Sequence, residues 1–294
     1  MNSLSEETKL ARYYEGVPED QILRLRDFRD RYPYAEMDID GKAWRYIDTS
    51  EGEPTLFIFA GGTTVAEISF NTIGYLARRY RVLAPDYPPV GTLTELFDGY
   101  VEMFDRLGIE RFNLLGGSYG GWMAQSFVRH ERERTDKVVL SAIGPPNPEN
   151  SRQLAKMLWL LSLAPTGVLR ALMNRSFSRL AGEGTLDPER ILMMAQLKEI
   201  MFTRVDRRDI LAALRRLIDQ TKNYEFRPND LANWPGQMLV LMGSEDPSTP
   251  QEKREAMAAL YPQAQHVVFE GADHAVSLTH REQYYQALDT FLAS

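Results

Sequence analysis

Gly116-Gly117-Ser118-Tyr119-Gly120 sets a serine among small residues, directly after the apolar run Phe112 to Leu115 and ahead of an amphipathic stretch holding Trp122, Met123 and Phe127. A G-x-S-x-G read as strand, sharp turn and helix lifts a serine hydroxyl above the end of a sheet. Such a turn is too tight for side chains at Gly116 and Gly120. A serine attacks a carbonyl only when a base takes its proton, and the chain offers four histidines, His130, His266, His274 and His280.

His274 lies in Gly271-Ala272-Asp273-His274, after the last expected strand and before the last helix, where a loop can carry it over the strand ends. His266 falls inside that strand, His130 closes the helix after Ser118, and His280 heads the terminal helix. These three have ordinary surface or capping roles, so His274 is the expected general base. A carboxylate must then hold the imidazole in one tautomer and stabilise its charged form. Asp246 leaves a strand in Met242-Gly243-Ser244-Glu245-Asp246, ahead of the turn Pro247 to Pro250, and completes the chain order Ser, Asp, His. Glu245 is the neighbour that could substitute, and Asp273 reads as a solvated loop charge.

A tetrahedral oxyanion needs backbone N–H donors, expected from the residue after the serine and from the loop after an early strand. Those are Tyr119 and, in Ala60-Gly61-Gly62-Thr63-Thr64, Gly62. The patterns G-x-G-x-x-G, G-x-x-x-x-G-K and H-E-x-x-H do not occur, and Asp38-Ile39-Asp40-Gly41 lacks the distal ligands of a calcium loop. No metal and no cofactor is expected.

The elements that must position these residues can be read from periodicity. Tyr34 to Ile39 and Trp44 to Ile47 flank Asp40-Gly41, a hairpin turn dipeptide. Short apolar runs then alternate with amphipathic helices, as in parallel βαβ units: Leu56 to Ala60, Arg81 to Ala84, Phe112 to Leu115, Lys137 to Ser141, Gln237 to Met242 and His266 to Phe269. The expectation is an α/β protein with an open, mostly parallel sheet of about eight strands and helices on both faces. Thr92 and Glu95 fit a capping box for a helix from Leu93 that stops at Gly108. A short helical lead-in is expected around Leu10, Tyr13, Tyr14, Ile22, Leu23 and Phe28.

Residues 151–230 contain amphipathic helical stretches and no convincing strand, and read as a helical cap. They hold 14 Lys+Arg against 9 Asp+Glu, a net +5 that leaves −12 on the rest of a chain whose total is −7. With the exit at Gly144-Pro145-Pro146-Asn147-Pro148, the core is 1–146 and 231–294 and the cap is 147–230. Met157, Trp159, Leu160, Met173, Met193, Met194 and Met201 in the cap either line a flexible apolar pocket or pack between its helices. Arg207, Arg208, Arg215 and Arg216 read as the solvated faces of amphipathic helices.

Composition bounds the remaining classes. Zero cysteines exclude a disulfide framework and a thiolate nucleophile. The acidic balance argues against a nucleic-acid partner and for a small molecule. No apolar run approaches the roughly 20 residues of a membrane span, and Met1 to Asp20 has no secretory pattern, so a cytoplasmic location is expected. Oligomeric state is not legible.

On Asp40-Gly41, Ala60-Gly61-Gly62, Gly116 to Gly120, Asp246 and His274, the chain resembles the α/β-hydrolase superfamily over essentially its whole length. Many members have His-Gly where this chain has Ala60-Gly61, a departure that bears on the loop's shape and not on its backbone donors. Ala84 to Val90, the following helix and the insertion are similar to the maspardin-like branch. The resemblance implies the α/β-hydrolase fold and cofactor-free hydrolysis of carboxylic esters of small molecules, for which an acyl-enzyme intermediate is expected. Amidase, thioesterase or C–C bond hydrolase activity with the same triad, or a maspardin-like binding protein without turnover, are the alternatives.

Overall fold

Asp40 and Gly41 take φ values of 52° and 72°, the two positive angles that a tight primed turn requires. They fold β1 (Tyr34–Ile39) against β2 (Lys42–Asp48), pairing Ile39 with Lys42 and Tyr34 with Ile47. This computed structural model describes residues 12–147, 151–180 and 187–294, with side chains omitted over 177–180. Leu10 of the expected lead-in and Pro148 of the expected cap boundary lie outside the described residues. The lead-in itself is a 3-10 turn over Arg12–Tyr14 followed by α1 (Glu19–Arg31).

After the hairpin the chain alternates β3 (Thr55–Phe59), α2 (Phe70–Leu76), β4 (Arg81–Pro85), α3 (Leu93–Arg106), β5 (Phe112–Gly117), α4 (Tyr119–His130) and β6 (Thr135–Ser141). It closes with β7 (Gln237–Gly243), α9 (Gln251–Leu260), β8 (Gln265–Phe269), α10 (Val276–Thr279) and α11 (Arg281–Ala293), where the numbering leaves α5 to α8 for the insertion. The eight strands form one sheet in the order β1-β2-β4-β3-β5-β6-β7-β8, antiparallel at β1/β2 and β2/β4 and parallel elsewhere.

β3 is buried at every position, as a parallel strand covered on both faces must be. Alternate residues feed opposite layers. Phe57 and Phe59 join Phe97, Tyr100, Phe104 and Phe127 from α3 and α4, whereas Leu56 and Ile58 join Phe28, Ile73 and Phe291 from α1, α2 and α11. Thr92 caps α3 by accepting from the Glu95 N–H at 3.3 Å.

The insertion between β6 and β7 holds four helices and, among the described residues, no strand: α5 (Ser151–Ser162), α6 (Thr166–Leu180), α7 (Pro188–Thr203) and α8 (Arg207–Asn223). Asp206 and Asp209 cap α8 reciprocally. Leu169, Leu197, Ile200, Met201, Val205 and Ile210 form a small cap core that also takes in Val65 from the loop after β3. No helix among the described residues is long and apolar enough to cross a membrane.

Two expectations for the cap are corrected. Arg216 is not on a solvated face: it is fully buried, 0% exposed, because α8 packs its Arg216 side against the core rather than away from it. Arg207 is also tied down, donating to the carbonyls of Ser162 and Ala164, while Arg208 and Arg215 are exposed. Met157, Trp159 and Leu160 are exposed rather than enclosed by a pocket or a helix core, since α5 has no buried residue.

Register decides what meets at the sheet's C-terminal edge. Phe59 stands opposite Gly116 and Gly117 opposite Ser141, so the loops after β3 and β5 leave the sheet side by side. Gly243 stands opposite Phe269, which brings the loops after β7 and β8 together. Open α/β sheets form their crevice along this edge.

Candidate active site

Ser118 sits between β5 and α4 with φ 53° and ψ −124°, a backbone conformation that costs a non-glycine residue about 1–3 kcal/mol. The glycines at either side make room for it. A Cβ on Gly116 would stand 2.3 Å from the Gly120 carbonyl oxygen, and one on Gly120 would stand 2.4 Å from that of Phe59. The Ser118 N–H is held by the Ser141 carbonyl at 2.9 Å.

Asp246 and His274 arrive from the paired loops after β7 and β8, with His274 Nδ1 2.8 Å from Asp246 Oδ2. The Asp246 side chain has no exposed surface. Burial opposes its charge, but the hydrogen bond and attraction from His274, with two bonds from Ser248, outweigh burial and draw its pKa down from 3.8 to about 2. Ser248 donates to Asp246 Oδ1 from its N–H at 2.8 Å and from Oγ at 2.7 Å. Its Oγ also lies 3.0 Å from His274 Nδ1. With the hydroxyl proton committed to the carboxylate, the Nδ1–H is shared between Asp246 and Ser248, which leaves Nε2 unprotonated in neutral imidazole.

The competing carboxylates are elsewhere. Glu245 is exposed, and Asp273 is not a free loop charge, since it pairs with Arg190 of α7 at 2.8 Å. The other histidines stay apart: His266 Nε2 meets the Tyr261 carbonyl at 3.0 Å, His130 lies by Asp98, and His280 precedes α11.

Ser118 and His274 line two cavities that meet between them, and Gly62 and Ala142 also line both. One cavity, about 240 Å³, runs past Thr63, Ile68, Thr72, Met193, Leu197 and Leu278. The other, about 370 Å³, runs past Trp122, Ile143, Met173, Leu214, Ser248 and Lys253. Of the cap methionines, Met193 and Met173 are thus lining residues, while Met201 is buried in the cap core and Met194 packs against it. Tyr119 opens α4, so its N–H is one of the orphan donors of a helix N-terminus. Among the described residues the Gly62 N–H makes no backbone hydrogen bond. Ser118 Oγ makes no hydrogen bond within the described residues; such contacts commonly tighten only when substrate binds.

Three supporting features were not legible in the sequence. Ser248 is one; the D-x-S spacing from Asp246 was its only signal. Arg216 is the second: Nε donates to the Tyr119 hydroxyl at 2.7 Å and Nη1 to the Pro88 and Val90 carbonyls at 3.0 and 2.8 Å. The third is a buried ionic cluster around Glu67, which follows the Gly62 loop. Arg29 of α1 reaches Glu67 at 2.6 Å and Glu199 of α7 at 2.7 Å, and Arg204 reaches Glu67 at 2.9 Å. Burial opposes the Glu67 charge, but the two guanidiniums hold its pKa below the usual carboxylate value. Among the described residues no group of three or more His, Asp or Glu is placed to hold a metal ion.

Comparison with known proteins adds a family. The model described as Alpha/beta hydrolase family matches residues 57–287. Maspardin from Pongo abelii is 28% identical over 247 residues, covering 81% of this chain and 76% of that protein. The 2-hydroxymuconate semialdehyde hydrolase of Pseudomonas putida is 26% identical over 267 residues, covering 84% and 89%. Among solved structures, a hydrolase from Pseudomonas aeruginosa superposes with a TM-score of 0.68 at 21% identity, covering 89% of this chain and 99% of that one.

Proposed function

The chain belongs to the α/β-hydrolase family, is similar to its maspardin-like branch, and from that premise we propose that it is a serine hydrolase of small-molecule carboxylic esters. The observation that carries the reading is that Ser118 and His274 line the same two cavities while Asp246 holds His274 at 2.8 Å. Residues 147–230 are the cap in this proposal, and 1–146 with 231–294 the core.

Ser118 is the nucleophile, His274 the base and Asp246 the orienting acid. Nε2 of His274 takes the Ser118 proton as Oγ attacks the ester carbonyl carbon. The negative charge that develops on the carbonyl oxygen is met by the N–H groups of Gly62 and Tyr119, whose fixed dipoles need no reorganisation. His274 returns the proton to the leaving alkoxide, releasing the alcohol and an acyl-enzyme. A water then gives its proton to Nε2 and adds to the acyl carbon; collapse frees the carboxylic acid and restores Ser118. The two cavities suit the two halves of an ester joined at the reacting carbonyl.

The similarity to the Pseudomonas putida hydrolase favours a second reading, in which the same three residues act on another acyl bond, an amide, a thioester or a C–C bond. The similarity to maspardin keeps a binding protein without turnover as the non-enzymatic alternative. A short-chain p-nitrophenyl ester followed with wild type, Ser118→Ala and His274→Ala tests the proposal. A burst and steady turnover lost in both variants support it. No turnover, or equal turnover in all three proteins, overturns the esterase reading.

A further inference from the structure

Trp159, Leu160 and Leu163 are 62%, 52% and 67% exposed, and Val168 and Leu172 on the next helix are 48% and 50% exposed. Large apolar side chains scattered singly on a surface need no explanation, but these five fall within fourteen residues of chain. Their arrangement is ordered. Arg152, Lys156, Trp159, Leu160 and Leu163 recur at three-to-four-residue spacing along α5 and into the turn after it, so they share one stripe, and every one is exposed. Val168, Leu172 and Arg175 repeat the pattern on α6, again all exposed. In both helices the apolar residues lie toward the α5–α6 turn and the basic ones toward the far end. The tip is held rigidly, because Arg207 of α8 grips the Ser162 and Ala164 carbonyls of that turn.

Charge says what covers this face. Residues 151–180 contain five Arg or Lys and no Asp or Glu, in a chain with 41 acidic residues and a net charge of −7. Apolar and indole side chains at a tip, with a basic collar about 10–16 Å behind it at 1.5 Å per residue, match the depth profile of an interfacial helix whose cations sit at lipid headgroups. We propose that the α5–α6 face, carried by Lys156, Trp159, Leu160, Leu163 and Leu172, is a peripheral docking surface for an anionic lipid bilayer. The tip inserts into the headgroup region without crossing the membrane. Each basic residue near an anionic surface is attracted to it, and screening by salt weakens the attraction. Met173, next to Leu172, lines the larger cavity beside Ser118, so docking sets one wall of that cavity near the bilayer.

The surface is independent of the triad, so docking is tested apart from turnover. The full chain and its Ser118→Ala variant are sedimented with phosphatidylcholine vesicles, with and without phosphatidylserine. The expected result is equal binding of both proteins to the anionic vesicles, falling as salt is raised and weak on neutral ones. Lys156→Glu and Leu163→Asp should each reduce binding about tenfold, which is 1.4 kcal/mol, with thermal midpoints unchanged because both side chains are exposed. Fluorescence should shift to the blue on binding, and Trp159→Phe should remove most of the shift, since Trp44 and Trp234 are buried and Trp122, half-buried, is tied to the Gly144 carbonyl in the cavity wall. No binding to anionic vesicles, equal binding to neutral ones, or binding indifferent to both substitutions overturns the proposal. So does concentration-dependent self-association that Leu163→Asp abolishes, which would mean that a second copy covers this face.

Discussion

Nε of Arg216, a fully buried side chain of the cap, donates to the hydroxyl of Tyr119 at 2.7 Å, and Tyr119 is the residue that follows Ser118 in the chain. The same guanidinium holds the carbonyls of Pro88 and Val90 and packs over the rings of Tyr87 and Tyr119. One cap residue therefore fixes the segment after β4 and the first residue of α4 together.

Arg216→Met should loosen the cap, because it orphans two buried carbonyls at about 1–3 kcal/mol each. The expected outcome is faster proteolysis of the cap and a KM raised about tenfold for the ester, with Arg216→Lys recovering part of both. Unchanged proteolysis and KM would remove Arg216 from any role in cap docking.

Ser248→Ala removes one of the two Ser248 bonds to Asp246 Oδ1 and the contact with His274 Nδ1. A hydrogen bond to a charged group is worth about 1.5–3 kcal/mol, so kcat should fall about tenfold or more with little change in thermal midpoint. Thr at this position keeps the hydroxyl and should retain most of the rate.

Glu67→Gln takes the carboxylate from Arg204 and leaves Arg29 with Glu199 alone. Breaking a buried ion pair from one side costs about 3–5 kcal/mol, read as a lower midpoint in urea. Since Glu67 closes the segment that begins at Gly62, the ester rate should fall as well. A stability within 1 kcal/mol of wild type, on the order of an exposed pair, would contradict this account.

Asp246 has its pKa drawn down from 3.8 to about 2, so its ionised form adds stability that is fully present above the unfolded value. That contribution is lost as the pH falls from 3.8 through 2. The whole shift is worth about 2 kcal/mol, roughly half of it gone at pH 3. Urea unfolding of wild type and Asp246→Asn should therefore differ less at pH 3 than at pH 6; a constant difference would refute the linkage.

Gly120→Ala places a methyl 2.4 Å from the backbone oxygen of Phe59. Overpacking costs about 1–3 kcal/mol, and the substitution should lower both stability and activity, while Gly61→Ala, with open space around its Cβ, should leave stability near wild type.

The sequence by itself determined the sheet and singled out Ser118, Asp246 and His274, which the structure brings to one edge of it. Period-two and continuous apolar runs, turn dipeptides and the G-x-S-x-G spacing are local signals, and local signals suffice to place strands and the loops at their ends. Eight strands were legible in this way, as were the helices on both faces. What only the tertiary structure decided was which polar side chains are buried and which apolar ones are not. Arg216 and Trp159 show why. A cap helix has two faces, and which one meets the core depends on how α5 and α8 pack against segments far away in sequence, such as the Pro88 and Val90 carbonyls. Helical periodicity gives the spacing of a stripe but not the partner it finds, so the arginine read as solvated lies inside and the tryptophan read as lining a pocket or packing between helices lies in solvent.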